Sequence, residues 1–262
     1  MVKGLDLFRE RFREFNGSFV LIGGAACDQW FTTQGLQFRV TKDLDIVLII
    51  EVLNVTFIAA LRKFIDEGDY KSRERTDDGP PILYRFTEPT NDDYPFMLEF
   101  FSRNPEALDL SRDQRITPVR LNQGAHSLSA ILLDENYYQL LQDHHDTFDG
   151  LAVANANALI PLKACAWLDL TAREEKGEDV DSRDIKKHRN DVFRLAATLP
   201  GGAGPFLAES ILADLRRFLD AFPEGSNQWS AILSSLKETF PSGGLKPAIL
   251  VETLRTFFRI GL

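Results

Sequence analysis

The sequence predicts an α/β (α+β) fold, with a small mixed sheet in residues 1–122 and a mainly helical half over 123–262. Two observations carry this reading. In the first hundred residues, short apolar runs bounded by Gly, Pro and Asn alternate with stretches of helical period. Beyond about residue 155, apolar positions recur at helical spacing between Pro and Gly breaks.

Leu5, Phe8, Phe12 and Phe15 share one face of an opening helix over 5–15, and residues 18–22 form a short buried strand. Gly23-Gly24 ends that strand. A helix over 25–34 follows, with Ala26 and Trp30 on one side and Gly35 as its stop. Residues 44–50 are β-branched, apolar and brief, which marks a second strand. Val55, Ile58, Leu61 and Ile65 space a helix over 54–67. Strands over 82–87 and 95–101 flank a segment rich in turn residues, so they predict a hairpin. Residues 128–133 read as a further strand and 136–143 as a helix. Pro161 falls in the first turn of a helix running to Glu175. A helix over 181–199 opens with Asp181 and Asp184 at capping-box spacing. Helical patterns close the chain at 205–221, 227–239 and 246–259.

The 262 residues suffice for one large or two small domains, and 44% hydrophobic with 26% charged content is that of an ordinary soluble chain. No apolar run approaches the ~20 residues that span a bilayer. The N-terminal segment also lacks the apolar core of a signal peptide, so no membrane partner and a cytoplasmic location are expected. Cys27 and Cys165 lie in apolar stretches and read as small buried hydrophobes. The four histidines form no Cys/His cluster at zinc spacing. A net charge of −9 disfavours general binding to long nucleic acids while leaving room for a local basic cleft.

Asp43 and Asp45 stand two apart at the lip of the second strand, so both side chains emerge on one face. Such a pair suits magnesium or manganese, which take oxygen ligands. Glu99 interrupts an otherwise apolar and aromatic strand, Pro95 to Phe101, and a buried Glu needs a partner or a metal. It is the candidate third ligand; the alternative is an edge strand with Glu99 facing solvent. Gly23 and Gly24, between a strand and a helix, let backbone N–H groups approach an anion, or form a plain tight turn.

The segment Leu21-Ile-Gly-Gly-Ala-Ala, then Trp30, then Arg39-Val-Thr-Lys-Asp-Leu-Asp-Ile-Val-Leu resembles the signature of polymerase β-like nucleotidyltransferases. The Arg-x-Thr-Lys-Asp-Leu-Asp form is most similar to AbiEii-type toxins of abortive-infection and type IV toxin–antitoxin systems. It is also similar to aminoglycoside nucleotidyltransferases. Leu159-Ile-Pro-Leu-Lys163-Ala-Cys-Ala and Ser182-Arg183-Asp184-Ile resemble the lysine-bearing helix and the Arg/Lys-Asp motif of the AbiEii-type proteins. Ala25 departs from the pattern, where many members carry a Ser or Thr hydroxyl for the nucleotide phosphate. The likeness implies a nucleotidyltransferase domain over 1–122. It implies Asp43, Asp45 and Glu99 as catalytic metal ligands, and a nucleotide held by Gly23, Gly24, Ala25, Arg39, Lys42, Lys163 and Asp184. The implied reaction moves a nucleotide from an NTP to an acceptor: RNA such as tRNA or a protein for a toxin paired with a cognate antitoxin, or a small cationic antibiotic. A non-catalytic interaction protein that kept the fold is the remaining reading.

Among the cations, Arg39 and Lys42 flank the Asp-bearing strand and either balance it, contact a triphosphate or lie exposed. Lys163 sits on the apolar stripe Leu159, Leu162, Ala166, Leu170, where its amine meets an anion or snorkels out. Arg183, Lys186, Lys187 and Arg189 read as a solvated basic face, Asp184 as a possible cap, and His188 as surface.

Overall fold

A computed structural model describes residues 2–72, 83–101, 131 and 134–261. The mixed α/β architecture is as expected. The strands are β1 (Phe19–Ile22), β2 (Asp43–Leu48), β3 (Lys71–Ser72), β4 (Leu83–Thr87), β5 (Met97–Phe101), β6 (His145–Phe148) and β7 (Leu151–Ala154). The helices are α1 (Leu5–Phe12), α2 (Gly23–Thr33), α3 (Val55–Gly68), α4 (Glu135–Asp143), α5 (Ala156–Glu175), α6 (Ser182–Ala196), α7 (Glu209–Asp220), α8 (Trp229–Leu236) and α9 (Pro247–Phe258). The strands form one sheet in the order β3-β4-β5-β2-β1-β7-β6. The β6–β7 hairpin has no counterpart in the sequence reading. It joins the sheet through a parallel pairing of β7 with β1, so the sheet takes strands from both sides of residue 122. The boundary itself and most of the strand expected over 128–133 lie outside the described residues.

The sheet is covered on both faces, and side-chain alternation decides which residues meet which cover. Phe19 pairs with Leu48, so Phe19, Leu21, Leu44, Ile46 and Leu48 share one face. Phe19 packs its ring against Phe8 and Phe12 of α1 and Phe57 of α3. Both helices therefore lie on that face, held by an apolar stripe each: Leu5, Phe8 and Phe12 on α1, and Phe57, Leu61, Phe64 and Ile65 on α3. The Asn54 side chain caps α3 by accepting from the Phe57 N–H at 2.9 Å.

The other face of β2 carries Asp43, Asp45 and Val47. Towards it lies the helical half, organised around α5. This helix is buried nearly all round, through Ala156, Leu159, Ile160, Leu162, Ala166 and Leu170 among others, as befits a core helix. Pro161 lies inside it rather than in its first turn. An aromatic cluster of Trp167, Phe193, Phe218, Phe222 and Trp229 ties α5 to α6, α7 and α8. No helix among the described residues is long and apolar enough to cross a membrane.

Candidate active site

The register of the central strands assembles the carboxylates. β2 and β5 run parallel, and Asp45 stands opposite Glu99, with Asp43 opposite Met97. Paired residues project to one side of a sheet, so Asp43, Asp45 and Glu99 share a face. Because β5 lies between β4 and β2, Glu99 is on an interior strand and only 7% exposed, which removes the edge-strand alternative. On β4, Arg85 is paired opposite Glu99, and its guanidinium forms an ion pair with the Glu99 carboxylate.

β1 delivers the glycines to the same place. Ile22 pairs with Asp45, and the chain turns directly from β1 into α2. Gly23 has φ +67°, and a β-carbon there would fall 1.7 Å from Asp45 Oδ2. Any side chain would be strained and would displace the carboxylate. A β-carbon at Gly24 would lie 2.6 Å from the Thr41 hydroxyl. Among the described residues no side chain caps the α2 N-terminus, so its free N–H groups and dipole stay available to an anion. Ala25 is fully buried behind the glycines.

Gly23, Gly24, Asp43, Asp45, Arg85 and Glu99, but not Ala25, line a cleft of about 660 Å³ with Lys163 from α5, His188, Lys187, Asp184 and Arg183 from α6, and Asp179 and Asp181 before it. Arg183 and Lys187 thus border the cleft, whereas Arg189 is buried and bonds Asn190 and Gln228. Arg183 and Lys186 are exposed and Lys187 is partly so, so within the stretch expected to form a solvated face only Arg189 turns into the core. Asp181, not Asp184, caps α6, accepting from the Arg183 N–H at 2.9 Å. Lys42 is exposed, outside the cleft lining, with its amine 5.7 Å from the Phe96 ring centroid. His188 is not a surface residue: it is half-buried at the cleft wall, and its buried Nδ1 has no hydrogen-bond partner among the described residues. Burial, then Lys163 and Lys187, push its imidazole down to about 3, which keeps it neutral.

Beneath the cleft lies a cluster that sequence reading missed. Asp191 on α6 is fully buried and accepts from Lys163 Nζ at 3.0 Å, Arg39 at 2.9 and 3.2 Å, and Arg194 at 2.6 Å. Burial alone would raise this carboxyl, but Lys163, Arg39 and Arg194 outweigh it and hold it well below the usual range. Lys163 answers in kind: burial pulls its ammonium down, Asp191 pulls it up, and the balance is upward. The anion that meets Lys163 in this structure is thus Asp191. Arg39 shares that partner, and three cations around one carboxylate leave the buried cluster net positive, with Lys163 its member on the cleft lining. Asp191 shows as an acidic residue four before Leu195 on a helix whose buried face begins at Arg189, a signal visible only once that face is known.

The carboxylates are electrostatically crowded. Burial and then the Asp45 charge push Asp43 up. The same two causes push Glu99 up to about 8, against the pull of Arg85. A carboxyl raised in the folded state weakens stability as pH climbs from its unfolded value through its folded one. In metal-free buffer, Glu99→Gln is therefore expected to gain stability relative to wild type between pH 5 and 8, on the order of 2–4 kcal/mol. Parallel denaturant titrations across that range measure it, and a constant difference would mean that Glu99 titrates normally.

Compared with protein-family models, curated proteins and solved structures, the chain matches none.

In chemical type the donors are those that a hard divalent cation takes: oxygens only, from three carboxylates on one sheet face, two of them raised by burial and the Asp45 charge. Among the described residues no three His, Cys, Asp or Glu side chains stand as a ready-made metal cage. Glu99 is engaged with Arg85 instead. Cys27 and Cys165 take no part in the cleft lining; burial pushes their thiols up to about 11 and about 12.

Proposed function

We propose that the chain is a metal-dependent nucleotidyltransferase that moves a nucleotide from an NTP to an acceptor. The observation that carries this reading is the convergence of Asp43, Asp45 and Glu99 opposite the Gly23-Gly24 turn, in a cleft floored by Lys163. Phosphoryl chemistry needs little covalent help and much placement of positive charge. Asp43, Asp45 and Glu99 would hold magnesium or manganese, which would supply charge neutralisation at the transferred phosphate. The protein's own groups do the rest. The uncapped α2 N-terminus at Gly23 and Gly24 orients phosphate oxygens through backbone N–H groups. Lys163 and Lys187 hold the remaining phosphate charge from the opposite wall. Neutral His188 offers a ring nitrogen within the same wall. The likeness of residues 18–50 to AbiEii-type toxins extends the proposal to an RNA or protein acceptor and a cognate antitoxin partner.

Calorimetry with a non-hydrolysable NTP, with and without magnesium, tests the reading. Affinity is expected to rise by at least tenfold with the metal; identical affinities would remove its basis. Lys163→Met is expected to keep its fold, because Arg39 and Arg194 still pair Asp191. Its nucleotide affinity should fall by about tenfold, the scale of one charge-assisted hydrogen bond. The same titration, with a thermal melt alongside, measures both.

A further inference from the structure

Arg85 occupies the position of greatest consequence that the proposed reaction leaves unused. Strand pairing places it directly opposite Glu99, with side-chain exposures of 13% for Arg85 and 9% for Glu99. Asp45 lies on the other side of Glu99, across the β2–β5 ladder. The third carboxylate is thus flanked by a like charge and by a guanidinium, and the guanidinium holds it. The pair is not a rim contact: both residues line the cleft with Gly23, Asp43 and Lys163. Arg85 also has no second acidic partner among the described ion pairs.

Resting on the nucleotidyltransferase reading, we propose that Arg85 is the resident counter-ion of Glu99, which a divalent cation must displace, and that the released guanidinium then serves as a triphosphate contact. Two physical arguments support the exchange. An ionised Glu99 at 7% exposure needs a cation beside it, and Arg85 is the one that the sheet places against it. A guanidinium is planar, permanently charged and shaped for phosphate oxygens, and the cleft offers it such a ligand once it leaves the carboxylate. Metal binding and nucleotide binding become linked through one side chain: Arg85 opposes metal alone and favours metal with nucleotide.

The test is magnesium and manganese calorimetry on wild type and Arg85→Met in the same buffer, without nucleotide. Arg85→Met is expected to bind metal about tenfold more tightly, since one charge-assisted pair no longer competes. Its affinity for a non-hydrolysable NTP in saturating metal is expected to fall by a similar factor. The double variant Arg85→Met/Glu99→Gln restores a neutral pair should the single variant fold poorly, and it should bind metal more weakly than wild type. Equal metal affinities for wild type and Arg85→Met overturn the exchange while leaving the metal site standing. Absence of metal binding in every variant, with and without nucleotide, overturns the nucleotidyltransferase reading itself.

Discussion

Asp45→Asn is expected to abolish nucleotide transfer, by three orders of magnitude or more, while the protein stays folded. Asp45 is the centre of the site: it pairs with Glu99 across β5, with Ile22 across β1, and its Oδ2 fills the space that a side chain at position 23 would need. Asn keeps that shape and removes the charge that would anchor a divalent cation. A metal clamp on a transferring phosphoryl group contributes several kcal/mol to the transition state, and each ~1.4 kcal/mol is tenfold in rate. Folding is spared because Asp45 is a burden on its neighbours: it helps push both Asp43 and Glu99 up. The metal-free variant should melt no lower than wild type. Single-turnover transfer rates and thermal melts check both halves, and a variant within tenfold of wild-type rate would move the metal ligands elsewhere.

Asp191→Asn should have the largest effect on stability. Its carboxylate is 0% exposed and answers to Lys163, Arg39 and Arg194, of which Lys163 and Arg194 are themselves only 4% and 3% exposed. Without it, three cations face one another in the interior, and such a break in a buried ion network costs about 3–5 kcal/mol. Among the described residues no other ion pair ties the loop around Arg39 to α6, so the strand-bearing and helical halves lose a shared anchor. Denaturant unfolding measures the loss. Removing one cation as well, in Asp191→Asn/Lys163→Met, should recover part of it; a single variant as stable as wild type would show that the cluster is solvated after all.

Much of this arrangement was legible in the sequence because it depends on local rules. The spacing of Asp43 and Asp45 needs only the two-residue period of a strand, and the helices α3, α6 and α9 follow from apolar periodicity and caps. The anomalous Glu99 was readable because its neighbours Leu98, Phe100 and Phe101 are core residues. What escaped depends on partners distant in the chain. The β6–β7 hairpin is short, and β6, His145–Phe148, is polar and incompletely buried, so it lacks a strand's usual apolar signature. Asp191 meets Arg39 across 152 positions, and no period foretells that. His188 looked exposed because it lies among Lys186, Lys187 and Arg189, yet one turn of α6 carries residues to solvent, cleft and core alike. Lys42 was grouped with Arg39 by proximity, but the intervening backbone points the two into different surroundings.

Nucleotide transfer on the Asp43, Asp45 and Glu99 face is the proposed activity, and it can be read directly. The most direct measurement incubates the purified protein with each α-phosphate-labelled NTP, magnesium and cell lysate, then follows the label into macromolecules and small molecules. Label from at least one NTP is expected to enter an acceptor only when magnesium or manganese is present, and Asp45→Asn is expected to leave the acceptor unlabelled. Labelling that is equal in wild type and Asp45→Asn, or no labelling from any NTP by folded wild-type protein, would contradict it.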